Sequence, residues 1–154
     1  MTRTQRGTLA ATGLGLFMIF LDALIVNVAL PDIGTAFDVG ESGLQWMVTA
    51  YSLAMAVSMM TGATVADRWG RKRVYVAGLV VFVAASMACG LAPSIAVLNA
   101  ARAVQGLAAA AVNVTSLALV SAAFSDPDLK ARAIGIWSAT SAASKCLRAA
   151  SAFL

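Results

Sequence analysis

The chain has no histidine. Zinc sites and histidine-based acid–base catalysis lose their usual ligand and base. Cysteine is nearly absent too. Cys89 and Cys146 are far apart in apolar surroundings. They read as small buried hydrophobes, neither a metal pair nor a framework disulfide. Charged residues make up 12% of the chain, against roughly 25% in soluble domains. No stretch looks like a soluble domain or a low-complexity linker. No nucleophile has a nearby base, so an enzyme is the weakest reading.

Apolar residues fill the space that charge vacates. They form 60% of the 154 residues, and the mean hydropathy is +0.85. They come in blocks too long for a globular core, so lipid is the solvent that the apolar surface meets. A spanning helix needs about 20 mostly apolar residues. Five segments qualify, roughly 8–30, 44–66, 74–92, 94–120 and 131–154. The expectation is an all-α integral membrane protein forming one transmembrane domain over 1–154. The first segment is not a cleaved signal peptide: its apolar run exceeds the usual h-region of about 7–15 residues, and further spans follow. Pro31 is expected to close the first helix, because proline cannot continue the hydrogen-bond ladder.

The net charge is +4, which invites a nucleic-acid reading. The basic residues, however, lie at the ends of apolar runs and not along one polar face, so no nucleic-acid partner is expected. They follow the positive-inside rule instead. Arg3 and Arg6 precede the first span. The first loop holds Asp32, Asp38 and Glu41 and no Lys or Arg. The second holds Arg68, Arg71, Lys72 and Arg73; the third, at Pro93–Ser94, is uncharged; the fourth holds Lys130 and Arg132. The alternation places the N-terminus, the second loop and the fourth loop in the cytoplasm. Trp46 and Trp69 are expected to anchor the ends of helix 2 at the membrane interfaces.

Two ionisable residues fall inside spans. A charge near the bilayer centre costs at least about 2.5–3.5 kcal/mol on insertion scales, so each needs a partner or a wet cavity. Counted from the expected outer ends of helices 1 and 4, Asp22 and Arg102 both lie roughly 12 Å deep. Inverted repeats of three helices would make those two helices equivalent. Asp22 and Arg102 are thus a candidate cavity-lining pair, with a structural ion pair as the plainer reading. Gln105 lies on nearly the same face as Arg102 and joins it as a candidate, as does Asn27. Gln45, Tyr51, Asn99 and Asn113 read equally well as helix-to-helix hydrogen bonds. Small residues at four-residue spacing, Ser86 with Gly90 and Gly106 with Ala110, read as tight helix packing.

The densest charge cluster is Asp67, Arg68, Arg71, Lys72 and Arg73, within the stretch GATVADRWGRKR at 62–73. A cluster this tight between two membrane-length segments reads as a short gate or anchor loop. The stretch resembles the loop 2–3 motif G-x-x-x-D-R-x-G-R-K of the major facilitator superfamily. Gly62, Asp67, Arg68, Gly70, Arg71 and Lys72 match, and Thr64 replaces the usual leucine. RAVQGLAAA at 102–110 resembles that family's helix 4 motif. LDALIVNVALP at 21–31 is similar to the helix 1 motif of its 14-span drug:proton antiporters, with Leu24 where threonine is common. QWMVTAY at 45–51 has that family's look as well.

The resemblance implies the partial N-terminal half of a major facilitator fold, with about five transmembrane helices. It implies proton coupling at Arg102 and proton or cationic-drug recognition at Asp22. It implies a cytoplasmic latch in which Asp67 braces the closure near Arg71, Gly62 permits close contact with the other half, and Gly70 allows the tight turn. The implied function is proton-driven drug or antibiotic efflux by alternating access in the bacterial inner membrane. The substrate would be small and cationic or amphipathic, and the proton gradient would serve in place of a cofactor. The alternative is a small non-transporting membrane protein that packs against partner helices. One departure stands out. The family's Gly- and Pro-rich helix 5 motif is missing, and SAASKCLRAASAFL at 141–154 puts Lys145 and Arg148 deep in the span. Residues 145–154 are therefore expected to be atypical, and a truncated transporter is expected.

Overall fold

The computed structural model describes residues 2–124 and 126–151, with side chains described as far as Ala139. The chain forms α1 (Arg3–Phe37), α2 (Glu41–Trp69), α3 (Arg71–Gly90), α4 (Ile95–Ala123) and α5 (Pro127–Ser151). No strand occurs among the described residues. Four helices, α1 to α4, are long and apolar enough to cross a membrane on their described residues. Helices are what lipid demands, because each satisfies its own backbone polar groups. The side chains of Lys145, Cys146 and Arg148 lie outside the described residues.

The helix ends follow local chemistry. Thr2 caps α1: its Oγ1 accepts from the Gln5 N–H, and the Gln5 side chain accepts from the Thr2 N–H, a reciprocal capping box. Ser94 accepts from the Val97 N–H at the start of α4. Asp126 accepts from the N–H groups of Asp128 and Leu129 ahead of α5, with Pro127 in the first turn, where its missing N–H costs nothing. A single residue, Gly70, separates α2 from α3 at φ 94°, ψ 125°. Side-chain-bearing residues rarely adopt that conformation. Nothing lies within 4 Å of a Cβ built there, so the backbone angle and not space requires glycine.

Pro31 does not close α1. The helix runs through it to Phe37 and ends at Asp38, whose left-handed backbone (φ 48°) lets its N–H reach the Gly34 carbonyl. Proline removes one ladder bond, but the helix can resume beyond it, and spanning helices tolerate the loss. Asp32 is therefore helical and not in a loop. The first connection shrinks to residues 38–40.

The outward faces are apolar, with Leu14, Phe17, Val28, Met60 and Val80 all exposed. Trp46 and Trp69 are exposed near the two ends of α2. The centre belongs to α4, which packs chiefly on α2 and α3 and also meets α1 and α5. Its inward positions are small. Ala101, Gly106, Ala108, Ala109 and Ala110 are all buried, which lets neighbouring backbones come close. A Cβ at Gly106 would collide with the Tyr51 carbonyl of α2 and lie 3.1 Å from the Ala54 Cβ. One at Gly78 of α3 would lie 3.0 Å from a Val112 methyl of α4. Ser86 and Gly90, by contrast, are exposed, and the space around Gly90 is open. That pair does not mark a helix contact among the described residues.

A core of Ile19, Tyr51, Tyr75, Phe82, Ala108, Ala109 and Val112 joins α1 to α4. A second cluster around Val120, Phe124 and Ala133 seats α5 against α1 and α4. The basic segments share one end of the bundle. Gln5 donates to the Ala123 carbonyl at 3.1 Å, and Arg71 donates to the Ala118 carbonyl at 3.5 Å. The N-terminus of α1, the α2–α3 turn and the C-terminus of α4 therefore lie together.

Gly106→Leu forces α2 away from α4 and is expected to destabilise the chain by about 1–3 kcal/mol. Gly90→Leu, facing open space, is expected to stay within about 0.5 kcal/mol of the parent. Thermal unfolding in detergent micelles reads both, and equal stabilities would remove the close α2–α4 approach from this account.

Candidate functional site

Asp22 of α1 meets Arg102 and Gln105 of α4 in a closed triangle. Arg102 Nη1 donates to Asp22 Oδ2 at 2.6 Å and to Gln105 Oε1 at 2.6 Å. Gln105 Nε2 donates to Asp22 Oδ1 at 2.6 Å. Both carboxylate oxygens are thus engaged, one by a charge and one by an amide. Arg102 and Gln105 sit three residues apart on α4, so one helix presents both donors to the same partner. The Arg102 side chain is 3% exposed and that of Asp22 12%, so the pair is well removed from solvent. Isolated charges could not remain there. Desolvation costs several kcal/mol per ion after relaxation, and paired geometry with extra hydrogen bonds is what offsets it.

The structure brings the Asp22 and Arg102 side chains together at 2.6 Å, although a count from the helix ends does not give them matching positions. Asp22 lies about 22 Å from the end of α1 and Arg102 about 10 Å from the start of α4, because α1 continues past Pro31. The direct bond between them, not the count, sets their common level.

Two neighbours complete the environment. The Tyr51 ring of α2 lies 4.3 Å from the guanidinium carbon of Arg102, a cation–π contact. Tyr51 thus contributes its ring face. Its hydroxyl has no hydrogen-bond partner among the described residues, nor do Asn99 Oδ1 and Arg102 Nε. The Tyr51 hydroxyl and Arg102 Nε give the cluster unused hydrogen-bonding capacity. Cys89 of α3 points its thiol at Gln105 Oε1, at 3.8 Å. It is half-buried beside polar groups, and so is not the purely apolar cysteine that the sequence suggests. Asp22 also borders a groove of about 240 Å³ between α1 and α3, whose walls include Met18, Phe82 and Met87. Asn27 is not drawn into the cluster: it is exposed, about 140° around α1 from Asp22.

The α2–α3 turn forms a second polar group. Arg71 bonds Asp67 at 3.2 Å across Gly70, with both side chains substantially exposed. Such a pair contributes at most about 1 kcal/mol. Its second tie, to the Ala118 carbonyl, attaches the turn to α4. Arg68, Lys72 and Arg73 are exposed. Gly62 faces α4, where a Cβ would sit 3.7 Å from the Ala111 α-carbon, an ordinary contact. Gly106 is buried against Tyr51, and Ala110 is fully buried.

Residues 12–146 match the Major Facilitator Superfamily. The chain belongs to that superfamily. It is 69% identical over 139 residues to "Multidrug resistance protein Stp" of Mycobacterium tuberculosis, covering 90% of this chain and 26% of that protein. It is 53% identical to "Drug efflux pump JefA" of the same species, over 90% of this chain and 27% of that protein. It is 37% identical to "Methylenomycin A resistance protein" of Bacillus subtilis, over 94% of this chain and 31% of that protein. The chain thus spans about a quarter to a third of the length of these curated relatives. As a superfamily member with four helices, among the described residues, long and apolar enough to cross a membrane, it is a multi-pass membrane protein. The superfamily match ends at Cys146, inside the stretch set apart at 145–154.

Gln105→Leu removes the amide that closes the triangle and leaves Asp22 Oδ1 without its bond. The expected cost is about 1–3 kcal/mol of unfolding stability, read by thermal unfolding in micelles. Unchanged stability would show that the amide does not hold Asp22.

Proposed function

We propose that this chain is the N-terminal transmembrane portion of a proton-coupled drug exporter of the bacterial inner membrane. The observation that carries the reading is the buried Asp22–Arg102–Gln105 triangle, in a chain whose relatives are named for drug efflux and drug resistance. Superfamily members of this kind transport and do not catalyse covalent chemistry. The substrate is a small molecule, cationic or amphipathic, suited to an apolar groove with a carboxylate at its edge.

The triangle supplies a toggle. With Asp22 ionised, Arg102 is satisfied and α1 is held against α4. A proton on Asp22 removes the charge that Arg102 faces and weakens the tie between the helices. A cation arriving at Asp22 competes with Arg102 for the same oxygens. Proton and cationic substrate thereby exclude each other, which is the requirement for exchange. Gln105 keeps the carboxyl oriented in either state, and Tyr51 holds the guanidinium from its ring face. At the other level, Asp67, Gly70 and Arg71 fix the α2–α3 turn to α4, and with Gly62, Arg68 and Lys72 they form the cytoplasmic latch. Gly106 and Ala110 keep α4 close to its neighbours as the bundle moves.

Residues 1–144, grafted in place of the matching segment of the 69%-identical mycobacterial relative, test this reading in everted membrane vesicles. Asp22→Asn and Arg102→Ala are expected to abolish proton-driven drug uptake while insertion is kept. Asp67→Asn is expected to slow turnover with drug affinity little changed. Parental transport in both Asp22→Asn and Arg102→Ala would exclude the pair from coupling.

The alternation of Lys and Arg among the loops supports a cytoplasmic N-terminus and 62–73 turn. Cysteines introduced at Thr2 and Trp69 are expected to resist an impermeant thiol reagent in intact cells, and one at Gly40 to react. Labelling at Trp69 with protection at Gly40 would reverse the topology.

A further inference from the structure

A groove of about 590 Å³ opens between α2 and α3, with α4 as its floor. It is distinct from the Asp22 cluster. Val65, Val81 and Leu107 give it apolar walls, and Ala77, Ala108 and Ala111 keep it wide. Small residues cause this shape: Gly78 brings α3 within contact distance of Val112 on α4, leaving the outer flanks of the two helices standing above a low floor. One end is chemically different. There Arg68 and Arg73 join the lining together with Trp69, which is 72% exposed.

The local acid is already taken, because Asp67 pairs with Arg71. Neither Arg68 nor Arg73 has an ion pair among the described residues. Two guanidinium groups therefore flank the mouth of an apolar channel where α2 ends and α3 begins, at the level where an exposed tryptophan marks the membrane interface. The occupant such a groove fits has an apolar chain and a negative head at one end. We propose that it is a binding site for an anionic phospholipid, with an acyl chain along α4 and the phosphate on Arg68 and Arg73. Arginine forks match phosphate oxygens in pairs. Basic pockets between spanning helices recognise anionic headgroups. A zwitterionic lipid would bring its ammonium close to the same two cations, so the site selects by charge.

The chain synthesised into lipid nanodiscs and released into detergent is weighed by native mass spectrometry with equimolar phosphatidylglycerol and phosphatidylcholine. The expected preference for phosphatidylglycerol is on the order of thirtyfold, the weight of two near-surface arginines. The double variant Arg68→Gln with Arg73→Gln is expected to lose that preference. Lys72→Gln, which does not line the groove, is expected to keep it. Ala77→Phe, which fills the groove and leaves every charge in place, is expected to reduce retention of phosphatidylglycerol. Far-ultraviolet circular dichroism confirms that each variant is still helical. Equal retention of the two lipids, or an unchanged preference in the double arginine variant, would overturn the proposal. So would full displacement by glycerol phosphate alone, which would reveal an anion site without a lipid groove. A dimer that carries no lipid would assign the groove to a second copy of the chain.

Discussion

A guanidinium cannot stay inside a membrane-spanning helix unless anions or acceptors are brought to it, because lipid offers none. Arg102 imposes that requirement on this bundle. It is met from two directions. Gln105 comes from the same helix, three residues on, and Asp22 comes from α1. The bond to Asp22 fixes how α1 lies along α4, and the Tyr51 ring fixes α2 against the same point. Three helices are thus registered at one level by one buried cation. The small residues of α4 make this possible, because a larger side chain at Gly106 would hold α2 too far away.

The four spanning helices and their order were legible from the apolar runs alone. So was the turn at Gly70, from charge density and a lone glycine between two spans. The pairing of Asp22 with Arg102 was legible as a question: two costly charges in neighbouring spans must find partners. What sequence could not supply was the third dimension. Pro31 looked like a stop because proline breaks ladders, yet α1 resumes beyond it and ends only at the left-handed Asp38. Tyr51 looked like a hydrogen-bonding residue, and its ring proved to be the part in use. Cys89 gave no sign of lying beside Gln105, because thiols in apolar runs usually just pack. Ser86 and Gly90 had the spacing of a packing pair but face outward, since spacing says nothing about which face meets a neighbour. The register of Lys145 and Arg148 within the bundle lies outside the described residues.

The two polar groups of the chain differ in kind. The Asp22 triangle is buried, short-bonded and closed, and it ties α1 to α4 through both carboxylate oxygens. The Asp67–Arg71 pair is exposed and weak, and its importance comes from position, at a one-residue turn that α4 holds from below. The strong interaction thus lies at the centre of the bundle and the weak one at its rim. The relatives' greater length leaves room for a second bundle to act on that rim.

The central claim is that Asp22 and Arg102 stabilise the fold through each other. A double-mutant cycle measures this directly: Asp22→Asn, Arg102→Gln and the combined variant, each unfolded thermally in the same micelles. Removing one member of a buried pair is expected to cost about 3–5 kcal/mol. The combined variant is expected to cost less than the two single losses together, by more than about 1 kcal/mol. Single effects that add to within about 0.5 kcal/mol, the behaviour of independent sites, would contradict the account.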